Sequence, residues 1–153
     1  MDQEAVLVQF KDLGVAAALG LSALGSALGI GTAGMAAVGA WKKCYAQNRM
    51  APFLLIVFIG APLSQTIYGM ILMNKIVEAV AKGVFLSSVG IFGGAAIGMS
   101  AFYQGKIGAC GADAMAETGK GFTNYLIALG IIETVALFVM VFLLGKIDVL
   151  AGG

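Results

Sequence analysis

Residues 130–144 read GIIETVALFVMVFLL, and Glu133 is the only charged side chain between Gly121 and Gly145. On insertion scales an ionised residue at the bilayer centre costs at least roughly 2.5–3.5 kcal/mol. A carboxylate in such a run is therefore protonated, paired or neutralised by a cation, and each of these marks a functional position. Ahead of this run lie three uncharged stretches, residues 13–41, 51–74 and 83–105. Each is longer than the roughly 20 residues that span a bilayer as a helix. With 60% hydrophobic and 11% charged residues, and a mean hydropathy of +0.98, little is left for a soluble domain. The expected fold is an all-α membrane protein with four transmembrane helices, over roughly 12–46, 51–78, 82–115 and 119–148.

The opening MDQEAVLVQFKD lacks the basic region of a signal peptide, so the first helix is expected to persist in the mature chain. A net charge of +1 gives no support to nucleic-acid binding, and the absence of histidine removes the commonest zinc ligand. Cys44 and Cys110 stand far apart, outside any C-x-x-C pattern, and read as two reduced thiols. No Walker A sequence is present, so this chain is not expected to bind a nucleotide.

The first stretch is built of small residues, with Gly25 and Gly29 forming a G-x-x-x-G pair. Small residues let membrane helices approach backbone to backbone. So many glycines predict a helix crowded on more than one side. The loop 41–50 carries Lys42, Lys43 and Arg49 and no acid, which predicts the cytoplasmic side for residues 42–50 and 111–120, with both termini opposite. Pro52 is expected in the first turn of the second helix, where its missing N–H costs nothing. Pro62 falls mid-helix, where it cannot donate to Phe58 and predicts a kink. Ala61, Ser64, Gln65 and Tyr68 follow i, i+3, i+4, i+7 spacing and share one face. If the last two helices turn at residues 117–120, Gln104 and Glu133 are equidistant from the turn and lie at one depth.

Shifting the second half onto the first by 68 residues superimposes Gln65-Thr66 on Glu133-Thr134 and Gly25 on Gly93. The chain therefore reads as two duplicated helical hairpins, residues 1–78 and 79–153, each with a glycine-rich first helix and a bulky second one. An even number of spans separates the copies, so the duplication is parallel. The carboxylate stands in one copy and an amide in the other.

With these residues in place the chain resembles the rotor-ring proteolipids, the K or c subunits, of V-type and A-type rotary ATPases. The motif P-x-S-Q-x-x-Y-G at Pro62–Gly69, Gln104-Gly105-Lys106 and Glu133-Thr134 are similar to the sodium-pumping bacterial branch. The resemblance implies a homo-oligomeric ring in the bacterial plasma membrane, a stator subunit facing it with an arginine, and central-stalk subunits on the cytoplasmic side. It also implies Na⁺ held by the backbone carbonyl of Ala61, the Ser64 hydroxyl, the Gln65 and Gln104 amides and the Glu133 carboxylate. Tyr68 is then a hydrogen-bond donor to Glu133. Ser64 stands where threonine is common and keeps the hydroxyl. ATP hydrolysis or synthesis would belong to a separate head, with this chain a non-catalytic transport subunit. Three other readings remain. One is the same ring specific for H⁺, with the glutamines merely packing. The others are a self-contained small transporter and a membrane scaffold.

Overall fold

A computed structural model describes the backbone of residues 3–152 and the side chains of 13–152. The reading of the first twelve residues, and of the chain ends, rests on Met1, Asp2, Gly153 and side chains outside the described residues. The chain is helical throughout. α1 spans Gln3–Ala46, α2 spans Leu55–Gly60, a 3₁₀ turn covers Ala61–Leu63, α3 spans Ser64–Ala81, α4 spans Ser87–Thr118 and α5 spans Phe122–Leu150.

α1 and α4 pack against each other more extensively than any other pair. A Cβ placed on Gly90 would overlap the backbone of Gly14, one on Gly25 that of Gly98, and one on Gly105 that of Gly29. The paired numbers rise together, so the two helices run parallel along a seam made of main chain. α3 runs the other way on α1, since Gly69 meets Ser22 while Pro62 meets Gly29. Gly29 is thus enclosed by α4 on one side and by Pro62 on the other. These contacts are van der Waals packing that only small residues permit.

Two apolar clusters form along the bundle. One contains Leu72, Ile76, Leu86, Ile97, Met140 and Ile147. The other contains Cys44, Leu55, Phe58, Ala112, Met115 and Leu129. Phe58 anchors the second, with ring centroids 5.7 Å from Phe122 and 6.1 Å from Tyr125. At that end the loop after α1 docks on the end of α4. Arg49 Nη2 donates to the carbonyl of Ala116 at 2.6 Å, satisfying one of the acceptors a helix C-terminus leaves open. Lys43 pairs with Glu117 and holds that exposed carboxyl below the ordinary carboxylate range. Residues 42–50 and the end of α4 therefore share one end of the bundle. At the other end Lys75 Nζ lies 2.6 Å from Asp148, tying α3 to α5.

The elements differ from expectation at several points. α1 begins at Gln3 instead of near residue 12. Pro52 lies ahead of the helix instead of in its first turn, and its carbonyl accepts the Trp41 indole N–H at 2.8 Å. α3 continues to Ala81, and α4 starts at Ser87 and runs on to Thr118. Gly119 (φ +66°) and Gly121 (φ +88°) hold left-handed conformations that delay the start of α5 to Phe122. Among the described residues, three helical runs are long and apolar enough to cross a membrane: Leu13–Ala46, Leu55–Ala81 and Phe122–Leu150. α4 has the length, 32 residues, but is not among them, since glycines, serines, Gln104 and Lys106 dilute its apolar content. Large apolar side chains on the outside, such as Phe92, Ile131 and Phe142, are 66–74% exposed. That surface belongs to an integral membrane protein.

Candidate functional site

Between the two apolar clusters lies a polar layer. It begins where the second hydrophobic stretch is broken by the 3₁₀ turn Ala61–Leu63. Pro62 has no N–H to continue the α-helical ladder, so the chain tightens by one turn and restarts as α3 at Ser64. The restart leaves Ser64, Gln65 and Tyr68 on the side of α3 that faces α4 and α5. Gly69 lets α3 lie close on α1, because its missing side chain makes room for Ser22.

Four side chains converge on the α5 carboxylate or on each other. Ser64 Oγ donates to Glu133 Oε1 at 2.6 Å, and the Tyr68 hydroxyl donates to the same oxygen at 2.8 Å. Gln104 Nε2 lies 3.2 Å from Glu133 Oε2 and 3.1 Å from the carbonyl of Leu129. Gln65 Nε2 donates to Gln104 Oε1 at 2.8 Å. Gln65 and Gln104 are fully buried, while Glu133, Ser64 and Tyr68 are half-buried. The structure thus brings Ala61, Ser64, Gln65, Tyr68, Gln104 and Glu133 into one neighbourhood, with Pro62 at the break that shapes it.

The chemistry of the layer is a shortage of protons. Ser64 Oγ lies 2.6 Å from Glu133 Oε1, 3.2 Å from Gln65 Oε1 and 3.3 Å from the Ala61 carbonyl oxygen. A hydroxyl carries one hydrogen. Once that hydrogen goes to Glu133, the closest of the three, Gln65 Oε1 faces the serine oxygen without a donor from it. A hard cation among oxygens at about 2.3–2.6 Å sets neighbouring ligands roughly 3.3–3.7 Å apart at right angles. Gln65 Oε1 and the Ala61 carbonyl oxygen stand at about that spacing from Ser64 Oγ, while Glu133 Oε1 is closer, at hydrogen-bond distance. Among the described residues there is no group of three or more His, Cys, Asp or Glu side chains. Any cation here is therefore held by one charge together with neutral oxygens.

Some contacts were not foreseen from the sequence. Ser100 Oγ, on α4, donates to the carbonyl of Ile132 at 2.7 Å, and Gln104 makes a similar bond to Leu129. A serine in a glycine-rich helix carries no sequence signal beyond its small size. Ser26 Oγ, buried on α1, has no hydrogen-bond partner among the described residues. Both thiols, buried Cys44 and exposed Cys110, are free.

Comparison with curated proteins gives no match. Residues 84–144, which hold all of α4 and α5 as far as Leu144, match the family model for the C subunit of ATP synthase, and the match includes Ser100, Gln104 and Glu133.

Proposed function

We propose that this chain is the rotor-ring proteolipid, of K or c type, in the membrane sector of a V-type rotary ATPase, and that it carries Na⁺ on Glu133. One observation carries the proposal: Ser64, Gln65, Tyr68 and Gln104 surround a single membrane carboxylate with more oxygen acceptors than available protons. A proton carrier needs one carboxyl and one acceptor. Two buried glutamine amides and a hydroxyl are a surplus for H⁺ and a coordination set for Na⁺. One carboxylate neutralises one Na⁺, so the loaded site is neutral and can face lipid. Ala61 supplies a backbone carbonyl, and Tyr68 steadies the carboxylate by hydrogen bonding.

In this reading all four long helical runs span the bilayer. α4, at 32 residues, is about 48 Å long and exceeds the roughly 30 Å of hydrocarbon. Its glycines are buried: Gly90, Gly94, Gly98 and Gly105 lie against α1, and Gly93 and Gly111 against side chains of α2, α3 and α5. The 68-residue offset and the parallel course of α1 and α4 support two duplicated hairpins. α1 and α4 form the inner circle of a homo-oligomeric ring, and α2, α3 and α5 the outer circle bearing the site. Each Glu133 exchanges its ion through half-channels in a stator subunit, opposite an arginine there. ATP is hydrolysed or made by a separate head. Lys42, Lys43 and Arg49 set the end with residues 42–50 and 111–120 on the cytoplasmic side of a bacterial plasma membrane, facing the central stalk.

Carbodiimide labelling tests this proposal, because the reagent attacks a protonated carboxyl and a bound cation blocks it. Membranes containing the full chain are labelled across a pH series with NaCl or KCl at equal ionic strength. Protection of Glu133 by Na⁺ and not by K⁺ is expected. Labelling indifferent to Na⁺ would move the assignment to an H⁺ ring. No labelling at any pH would remove the carrier reading altogether.

A further inference from the structure

We propose that Ser100 is a positioning residue for Glu133, holding α5 in register while the site changes its occupant. α5 is apolar on nearly every side, and apolar helix surfaces slide on one another in lipid, where no hydrophobic force fixes their height. Polar contacts set the register instead. Two of them reach the α5 backbone from α4: Ser100 Oγ to the Ile132 carbonyl at 2.7 Å, and Gln104 Nε2 to the Leu129 carbonyl at 3.1 Å. The two donors are one turn apart on α4, and their acceptors are nearly one turn apart on α5. Ile132 immediately precedes Glu133, and Leu129 is the residue to which the Glu133 N–H bonds in an α-helix. Together they fix both the height and the rotation of the carboxylate.

The two donors are not equivalent. Gln104 Nε2 also reaches Glu133 Oε2, and Gln104 Oε1 accepts from Gln65. Turning its oxygen towards a cation re-aims the whole amide and weakens its hold on Leu129. Ser100 has no other partner among the described contacts, is 3% exposed, and does not touch the carboxylate. It is the half of the clamp that stays in place between loaded and empty states. A cation shared by several oxygens needs them placed to within roughly 0.5 Å, whereas a proton needs one oxygen. Ser100 therefore discriminates between the two ions through geometry alone. This role presupposes that Glu133 carries Na⁺.

The experiment is carbodiimide labelling of Glu133 in membranes with the full chain, comparing the unaltered protein, Ser100→Ala and Ser22→Ala. Ser22 is a buried serine whose hydroxyl bonds to the carbonyls of Ala18 on its own helix and Gly94 on α4, and to nothing on α5 among the described contacts. Each is titrated with Na⁺ at one pH, and with pH in the absence of Na⁺. For Ser100→Ala the half-protecting Na⁺ concentration is expected to rise about fivefold, the worth of one ordinary hydrogen bond. Its Na⁺-free pH profile stays where the unaltered protein has it, and Ser22→Ala changes neither. Equal Na⁺ protection in Ser100→Ala and the unaltered protein overturns the positioning role and leaves the carrier reading intact. A shift of both titrations, or the same change in Ser22→Ala, makes Ser100 an ordinary packing residue and overturns it too. Absence of Na⁺ protection in the unaltered protein overturns the carrier reading and the selectivity role with it.

Discussion

Glu133→Asp keeps the charge and moves it. Removing one methylene draws the carboxylate back by roughly 1.3–1.5 Å, the projection of one C–C bond. The donors Ser64 and Tyr68, at 2.6 and 2.8 Å from Oε1, and Gln104, at 3.2 Å from Oε2, then lie beyond hydrogen-bond reach. The helix cannot advance to compensate, because Ser100 and Gln104 hold its carbonyls. A hydrogen bond to a charged group contributes roughly 1.5–3 kcal/mol, and half-burial of Glu133 argues for the lower value. Counting only the two contacts to Oε1, the loss is about 3 kcal/mol, or roughly a hundredfold in affinity. The assay is the Na⁺ concentration that half-protects residue 133 from carbodiimide at fixed pH. A hundredfold rise is expected, with labelling in the absence of Na⁺ retained. Protection at the same Na⁺ concentration as the unaltered protein would refute the reasoning, since the site would then depend on charge and not on placement.

Three other outcomes follow from the packing and the polar layer. Gln65→Ala removes a fully buried amide, and is expected to weaken Na⁺-dependent transport while sparing H⁺-coupled turnover. Equal loss of both activities would count against selective coordination. Gly94→Ala puts a Cβ 2.5 Å from the Ala17 carbonyl oxygen and 3.0 Å from Ala18 Cα, with only main chain to yield. Overpacking of this kind costs about 1–3 kcal/mol and exceeds the helix-propensity gain of roughly 1 kcal/mol, so thermal melting in detergent should show a net loss. Ser26→Ala removes a buried hydroxyl that has no partner among the described residues, and the same melting assay should register a gain of up to about 1 kcal/mol.

Much of the polar layer is legible from spacing. Ser64, Gln65 and Tyr68 are spaced for one helix face, and all three meet the network around Glu133. Counting residues from the α4–α5 turn puts Gln104 and Glu133 at equal height, and they lie 3.2 Å apart. The agreement is not exact: Gln104 stands 14 residues before the end of α4 and Glu133 11 residues after the start of α5, and the two long side chains span the difference. Contacts to backbone are not readable in this way. Nothing in the identity of Ser100 points to the Ile132 carbonyl, and nothing in that of Pro52 to the Trp41 indole. α4 reads as less apolar than the helices around it for a physical reason: the glycines that fit it to its neighbours carry little hydropathy. Proline placement is half readable. Pro62 interrupts the ladder as its missing N–H requires, whereas Pro52 stands ahead of α2 instead of inside its first turn.

The seam between α1 and α4 has a mechanical consequence. Side chains between helices act as soft bearings, since they can change rotamer under load. Along Gly14, Gly25 and Gly29 against Gly90, Gly98 and Gly105 there are none, and main chain rests on main chain. A torque applied at one end of this pair is transmitted with little give. Any elasticity in the chain then resides in the connections at residues 47–54 and 82–86 and in the 3₁₀ turn, next to Glu133.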